Sequence, residues 1–303
     1  MGTLYIVGNG LDLHFNLKTK TDHFIEHLKA QSVYNGIGNA LDVLNCYGVD
    51  WCDYEQSLND IDLDELTFQN EIPPDYLSDH ESDRDGGILN MQMYVDSLSN
   101  AINSALEEMV NVANDEIINL SLSTPKRELF KSGDAILTFN YTSTIECLFS
   151  IPDNVLICHI HGYYEERNPL IFGYRNNENS YAITWTSIDK ENYDYYITKQ
   201  REIVYAFYES WRKKLQIENL NIFLSRCYGI DRIVVLGHSM SAVDSEYMEQ
   251  IEKAICPVSW EISYHNINNI QRIQLQDYSF KNKIKFAKLE ELLGEQSFRL
   301  PIR

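Results

Sequence analysis

The feature that most constrains the fold of this chain is a series of short aliphatic runs, several of which end in glycine or polar residues and lead into a helical pattern. Such runs predict strands at residues 3–8, 135–139, 155–160, 170–173, 232–236, 259–264 and 283–287. Strands that alternate with helices are typical of a parallel sheet covered by helices. We therefore predict an α/β fold with a mostly parallel sheet.

A long helical stretch follows the first strand–helix unit. Apolar residues recur at helical spacing from about 88 to 120, which predicts one long helix, whereas the acidic residues 71–87, with their prolines and glycines, predict a loop. The predicted organisation is a core of residues 1–36 and 131–303 with a helical insertion of residues 37–130. Together these parts are expected to form a single composite domain.

Charge and cysteine content argue against several kinds of function. The 303 residues include 45 acidic and 25 basic side chains, and the formal net charge of -20 repels nucleic-acid backbones. The six cysteines form no C-x-x-C pair, so we expect reduced thiols rather than a zinc site. No apolar run approaches the roughly 18 residues of a membrane-spanning helix. We expect a cytoplasmic protein with neither a membrane nor a nucleic acid as its partner.

Four of the predicted strands end in loops rich in glycine, asparagine, histidine and serine. These loops are residues 8–12 (GNGLD), 138–142 (TFNYT), 159–162 (HIHG) and 237–241 (GHSMS). Ligands of open α/β sheets bind beyond the carboxyl ends of the strands. The four loops therefore predict one shared ligand-binding crevice.

The glycine-rich loop after the first strand is compatible with a phosphate site. Gly8 and Gly10 would let the backbone approach a phosphate while it turns into a helix. Leu13 stands where the dinucleotide fingerprint has its third glycine, so a tight turn without a ligand is the alternative. Asp12 has the wrong charge for a phosphate, and we expect it to cap the helix or to hold a ribose hydroxyl.

Asn140 and His161 are the candidates for chemistry. Imidazole suits general-base catalysis near neutral pH, and His161 precedes Gly162 at a predicted strand end. A structural histidine is the alternative. Asn140 follows a buried strand, where a polar turn before a helix is the alternative to a functional role.

Ser239 lies in a stretch, IVVLGHSMSAVD (233–244), that is similar to the nucleophile elbow of α/β-hydrolases. Ser241 occupies the place of the second glycine of that elbow. Only one histidine, His265, follows the serine, with little room for an intervening acid strand. We therefore do not expect Ser239 to act as a nucleophile.

Together these motifs resemble the bacterial abortive-infection protein H (AbiH) family. The resemblance rests on LYIVGNGLDL (4–13), WCDYEQSL (51–58), LTFNYTSTIE (137–146), HIHG (159–162), LIFG (170–173) and IVVLGHSMSAVD (233–244). It implies a role in defence against phages. It also implies a Rossmann-like core distantly similar to the sirtuin-like domains, which bind and sometimes hydrolyse NAD.

In a sirtuin-like core, Asn140 and His161 would be the catalytic residues. The resemblance implies that Asn140 positions the nicotinamide ribose or a water, and that His161 acts as a base while the nicotinamide bond breaks, without a metal or other required cofactor. The nucleotide-binding residues predicted in this way are Gly8, Asn9, Gly10, Asp12, Glu55, Gly162, Gly237, His238, Ser239 and Asp244. Thr142 stands where sirtuin-like sequences usually carry Asp, and the four-cysteine zinc module is missing, so deacylation is not expected.

Glu55 shares one predicted helical face with Trp51 and Leu58. It either enters the crevice as an acid or ribose contact, or forms a buried pair with a basic side chain. The sequence leaves this choice open.

Two functions are consistent with these features. The first is an antiphage protein that binds NAD or a related nucleotide and hydrolyses NAD at the nicotinamide–ribose bond; the second is a non-catalytic nucleotide sensor within a defence system. The net charge disfavours a nuclease toxin, as does the lack of clustered metal-binding acids at the strand ends. Besides the nucleotide, the candidate partners are a phage-derived trigger protein and a second copy of the chain.

Overall fold

The computed structural model describes residues 2–37, 54, 55, 58, 61–163, 170–175 and 194–295. Trp51 and the rest of the predicted helical pattern in residues 38–53 lie outside the described residues. The chain divides into two compact units, of which the first consists of Met1–Thr19, Val110–Ile171 and Lys214–Arg303, and the second of Lys20–Met109 and Phe172–Lys213. The predicted division into a core and an insertion of residues 37–130 stays a prediction.

In the described part of the chain, six strands of the first unit form one parallel sheet. They are β1 (Gly2–Val7), β3 (Ala135–Thr138), β5 (Leu156–His159), β6 (Ile230–Leu236), β7 (Ser259–Tyr264) and β8 (Ile284–Lys288), and a separate parallel pair consists of β2 (Arg127–Glu128) and β4 (Phe149–Ser150). The order β5-β3-β1-β6-β7-β8 corresponds to the 3-2-1-4-5-6 order of the Rossmann fold. The predicted α/β class with a parallel sheet is confirmed, and the strand order is consistent with a Rossmann-like fold.

The described helices are α1 (Gly10–His14), α2 (Thr21–Tyr34), α3 (Leu63–Asn70), α4 (Glu81–Ser123), α5 (Thr144–Leu148), α6 (Tyr195–Ser210), α7 (Ile217–Leu224), α8 (Ser245–Ile255), α9 (Ile267–Leu275) and α10 (Leu289–Leu292). The long helix predicted from about 88 to 120 is confirmed as α4. Within the described residues, no helix is long and apolar enough to cross a membrane.

Two predictions of secondary structure are wrong. The loop predicted for residues 71–87 ends before Glu81, where α4 begins. This helix includes Gly87, and a Cβ on Gly87 would lie 2.5 Å from the carbonyl oxygen of Ile72. That close packing explains a glycine inside a helix. Residues 170–173 form no strand, since the amide of Ile171 donates to the carbonyl of His161 (2.8 Å) rather than to a strand neighbour.

Both faces of the sheet are buried by helices of the first unit. Leu4 and Ile6 of β1 belong to one apolar cluster, which also contains Tyr247 of α8. Tyr5 and Val7 belong to the cluster on the other face, which includes Ile117 of α4. Because successive strand residues point to opposite faces, the continuous apolar runs in the sequence follow from this two-sided burial.

The loops after β1 and β6 are in backbone contact where the strand order reverses. The amide of Gly10 donates to the carbonyl of Gly237 (2.7 Å), and the amide of Gly8 donates to the carbonyl of Leu236 (3.0 Å). A Cβ on Gly10 would lie 2.7 Å from Cα of Gly237, and a Cβ on Gly237 would lie 2.2 Å from the backbone nitrogen of Leu11. The packing of the two loops against each other therefore requires both glycines.

Gly237→Ala is expected to lower the free energy of unfolding by about 3 kcal/mol or more. Gly237 has a φ of +69°, so the substitution adds left-handed strain of about 1–2 kcal/mol to the clash with Leu11. Gly229→Ala is the matched control, since Gly229 has a φ of +72° but no atom lies within 4 Å of an added Cβ. Urea denaturation measures both losses. Equal losses in the two variants would contradict a required contact between the loops.

Candidate functional site

The four polar loops follow four neighbouring strands of the sheet. Strands β5, β3, β1 and β6 are adjacent and parallel, so the loops after them begin at the same edge. Asn140, His161 and the loops of residues 8–12 and 237–241 therefore share the carboxyl edge of the sheet. Binding of a ligand by these residues stays a prediction.

Asp12 is the centre of a buried hydrogen-bond network at this edge. Its carboxylate accepts hydrogen bonds from Nδ2 of Asn140 (3.0 Å) and from the hydroxyls of Thr142 (2.8 Å) and Thr144 (2.6 Å). The side chain is 1% exposed. Burial raises the pKa of Asp12 to about 6, although the three hydrogen bonds act in the opposite direction. The residue at the N-cap of α1 is Asn9, so Asp12 anchors the loop after β3 instead of capping the helix.

Asp12 also fixes the orientation of the Asn140 amide. An ionised carboxylate only accepts hydrogen bonds, so the Nδ2 group of Asn140 must face it. The amide oxygen, Oδ1, then has no hydrogen-bond partner among the described residues, although the side chain is only 5% exposed. An unsatisfied buried acceptor costs free energy, and a ligand hydroxyl or a water that donates to Oδ1 would recover it.

Asn114 of α4 also holds the loop after β3. Its Oδ1 accepts from the backbone amide (2.8 Å) and the hydroxyl (2.7 Å) of Ser143, and its Nδ2 donates to the carbonyl of Val110 (2.9 Å). This fully buried residue is not among the site residues predicted from the sequence. The signal that could have revealed it is its position four residues after Val110 and three before Ile117, on the apolar face of the helix.

His161 is buried in an aromatic environment and faces a carboxylate. Its side chain is 4% exposed, and Nε2 lies 3.7 Å from Oδ1 of Asp244. The ring contacts Phe139 edge to face, with centroids 4.9 Å apart, and lies 5.7 Å from the ring of Tyr247. Gly162, with a φ of +94°, turns the chain directly after it.

The same carboxylate faces a second histidine. Nδ1 of His238 accepts a hydrogen bond from the amide of Met240 (3.0 Å), so in the neutral ring Nε2 carries the proton. This Nε2 lies 3.5 Å from Oδ2 of Asp244, and the His238 ring packs 4.4 Å from Phe139. The predicted site residues include His161, His238 and Asp244, and the structure brings these three side chains together. Among the described residues, no group of three or more His, Cys, Asp and Glu side chains is arranged to hold a metal ion.

The loop that carries Ser239 is held on both sides by hydrogen bonds. Ser263 at the end of β7 accepts from the amide of Gly237 (2.7 Å), and the hydroxyl of Tyr278 donates to the carbonyl of Met240 (3.1 Å). Met240 is buried with a φ of +55°, whereas Ser239 is exposed. Nothing in the local sequence indicates these roles for Ser263 and Tyr278.

Asn9 and Glu55, which are also predicted to bind the nucleotide, make contacts within the protein. Nδ2 of Asn9 donates to the carbonyl of Thr19 (2.8 Å). Glu55, in the second unit, accepts from Nζ of the buried Lys213 at 3.1 and 3.2 Å. This ion pair corresponds to one of the two expectations for Glu55, and its contact with a nucleotide stays a prediction.

The fold and the site define an α/β protein with a Rossmann-like parallel sheet and a polar cluster at its carboxyl edge. Residues 4–264 match the model of the family described as bacteriophage abortive infection AbiH. The chain therefore belongs to the AbiH family and is an antiphage abortive infection protein. No curated protein matches the chain. The resemblance to AbiH is confirmed, and the more distant relationship to sirtuins stays a prediction.

Asp12→Asn is expected to change how stability depends on pH. Between its ordinary pKa of 3.8 and its native pKa of about 6, Asp12 keeps its proton in the folded state but loses it in the unfolded chain. The wild type should therefore lose about 3 kcal/mol of unfolding free energy relative to the variant as the pH rises from about 4 to 7. Urea denaturation across this range measures the difference, and exposed Asp153→Asn is the control. A pH-independent difference between wild type and Asp12→Asn would contradict the elevated pKa.

Proposed function

We propose that this antiphage protein binds NAD or a related nucleotide at the carboxyl edge of its sheet and hydrolyses the nicotinamide–ribose bond during infection. The observation that carries the proposal is the buried Asn140 amide, which Asp12 orients so that Oδ1 is left as an unpaired acceptor. An acceptor held in one orientation suits a ribose hydroxyl or an attacking water.

The architecture supports a nucleotide as the ligand. In Rossmann-type sheets, dinucleotides bind at the point where the strand order reverses, which here lies between β1 and β6. The amides of Gly8 and Gly10 already donate to backbone carbonyls. Within the proposal, the exposed hydroxyl of Ser239 is therefore the donor to ribose or phosphate oxygens, rather than these two amides.

The proposed chemistry uses Asn140 together with His161 and Asp244 at the same edge of the sheet. Water adds to C1 of the nicotinamide ribose as the bond to the nicotinamide nitrogen breaks, and neutral nicotinamide leaves with the bonding electron pair. Oδ1 of Asn140 accepts a hydrogen bond from the water or a ribose hydroxyl, and His161 takes the proton that the water releases. The carboxylate of Asp244, 3.7 Å from Nε2 of His161, stabilises the resulting imidazolium.

One observation favours the alternative of a non-catalytic nucleotide sensor. His161 is almost fully buried, and its Nε2 already faces Asp244, as a histidine with a structural role would. A sensor binds the nucleotide through the same loops and transmits the bound state to a partner without cleaving it.

Release of nicotinamide from NAD tests the proposal. Purified protein, with and without a lysate of phage-infected cells, is incubated with NAD, and free nicotinamide is measured by chromatography while calorimetry measures binding. We expect His161→Ala and Asn140→Ala to reduce release by about 100-fold or more, since each removes a group that acts on the water or its proton. Exposed His80→Ala and Asn154→Ala are the matched controls and should retain activity.

The outcomes separate the two candidate functions. Binding of NAD without release, together with protection from phage that survives His161→Ala, would support the sensor and contradict hydrolysis. If the protein neither binds NAD nor releases nicotinamide under either condition, nucleotide binding itself is contradicted.

A further inference from the structure

His159, the last residue of β5, forms a pair with Glu146 of α5 that the proposed chemistry does not use. Nε2 of His159 lies 2.8 Å from Oε1 of Glu146, and the histidine side chain is 9% exposed. The imidazole stacks on the ring of Tyr163, with centroids 4.0 Å apart. In the HIHG stretch, only the second histidine, His161, is a predicted site residue.

Glu146 determines which nitrogen of His159 carries the proton. A carboxylate only accepts hydrogen bonds, so Nε2 is the donor and Nδ1 of the neutral ring is a lone-pair acceptor. Nδ1 is buried and has no hydrogen-bond partner among the described residues, and the same holds for the second carboxylate oxygen of Glu146, Oε2.

This pair is connected to the network around Asp12. His159 is the register neighbour of Thr138, which lies two residues before Asn140. Glu146 lies on the same short helix as Thr144, whose hydroxyl donates to Asp12. The negative charge of Glu146 also contributes to the raised pKa of Asp12.

The unpaired atoms of this region share one chemical property. Nδ1 of His159, Oε2 of Glu146 and Oδ1 of Asn140 all accept hydrogen bonds, and each is buried without a partner among the described residues. A group that presents several hydrogen-bond donors would suit such a set of acceptors. The vicinal hydroxyls of a ribose are donors of this kind, whereas a phosphate offers acceptors and is repelled by Glu146.

We propose that Asn140, Glu146 and His159 form a subsite for the nicotinamide ribose, in which Nδ1 of His159 accepts a hydrogen bond from one of the ribose hydroxyls. The subsite rests on the proposed function, because it assigns one part of the nucleotide to it. Glu146 is a positioning residue here, since it holds the histidine in the tautomer that accepts at Nδ1. The role is distinct from that of His161, which receives a proton from water.

The test compares two stable analogues of NAD by calorimetry. In carba-NAD a cyclopentane replaces the nicotinamide ribose and keeps both hydroxyls, and the second compound lacks these two hydroxyls. We call the second compound the dideoxy compound. We expect the wild type to bind carba-NAD at least about tenfold more tightly than the dideoxy compound, because the dideoxy compound cannot donate hydrogen bonds to the acceptors of the subsite.

Two variants probe the subsite. His159→Phe keeps a ring that can stack on Tyr163 but has no acceptor. Glu146→Gln can still contact Nε2, but its amide can also donate, which allows the proton to move to Nδ1 and turns the acceptor into a donor. Each should bind carba-NAD about tenfold more weakly than wild type and the dideoxy compound as tightly as wild type. Glu218→Gln, an exposed change on α7, is the control.

Each other outcome overturns the subsite. If the wild type binds both compounds equally, or if the two variants discriminate between them as wild type does, the subsite is wrong while nucleotide binding stands. If the variants lose affinity for both compounds alike, the Glu146–His159 pair has a structural role only. If the wild type binds neither compound nor NAD, the proposed function and the subsite fail together.

Discussion

The hydrogen bond from the amide of Gly10 to the carbonyl of Gly237 joins the two central loops of the sheet edge, and the positions of the other site residues depend on it. The loops approach so closely that neither position accepts a Cβ. Two residues after Gly10, Asp12 anchors the loop that carries Asn140. On the other side, the amide of Gly237 donates to Ser263 of β7. These contacts together hold loops that are far apart in the sequence in fixed relative positions.

The acidic side chains at this edge of the sheet suit the nicotinamide ribose, which is the part of the nucleotide proposed to bind there. Asp12, Glu146 and Asp244 all belong to its polar networks. The nicotinamide end of NAD carries a positive charge, and positive charge develops on the ribose as the bond to nicotinamide breaks. Carboxylates stabilise such charge, whereas they would repel the phosphates. The chemistry of the edge is thus consistent with the ribose and nicotinamide lying nearest to these residues.

The sequence was a reliable guide to the strands and to the loops that follow them, because buried parallel strands require aliphatic runs and the turns after them require glycine or polar residues. The sequence was misleading at residues 81–87, where close packing explains a glycine inside a helix. It was also misleading at residues 170–173, where the amide of Ile171 donates a hydrogen bond to a loop carbonyl and not to a neighbouring strand. The contacts of the site were largely inaccessible from sequence. Asp12 meets its partners across 128 to 132 residues, and nothing local to Glu146 or His159 indicates their pairing.

The loop around Ser239 is restrained before any ligand arrives. Met240 donates to His238, accepts from Tyr278 and adopts a left-handed conformation that is uncommon for a residue with a side chain. These restraints leave the exposed serine on a backbone with few alternative conformations. Folding has therefore already restricted the backbone of this loop, so a molecule that binds the Ser239 hydroxyl loses less affinity to ordering the protein than it would on a flexible loop.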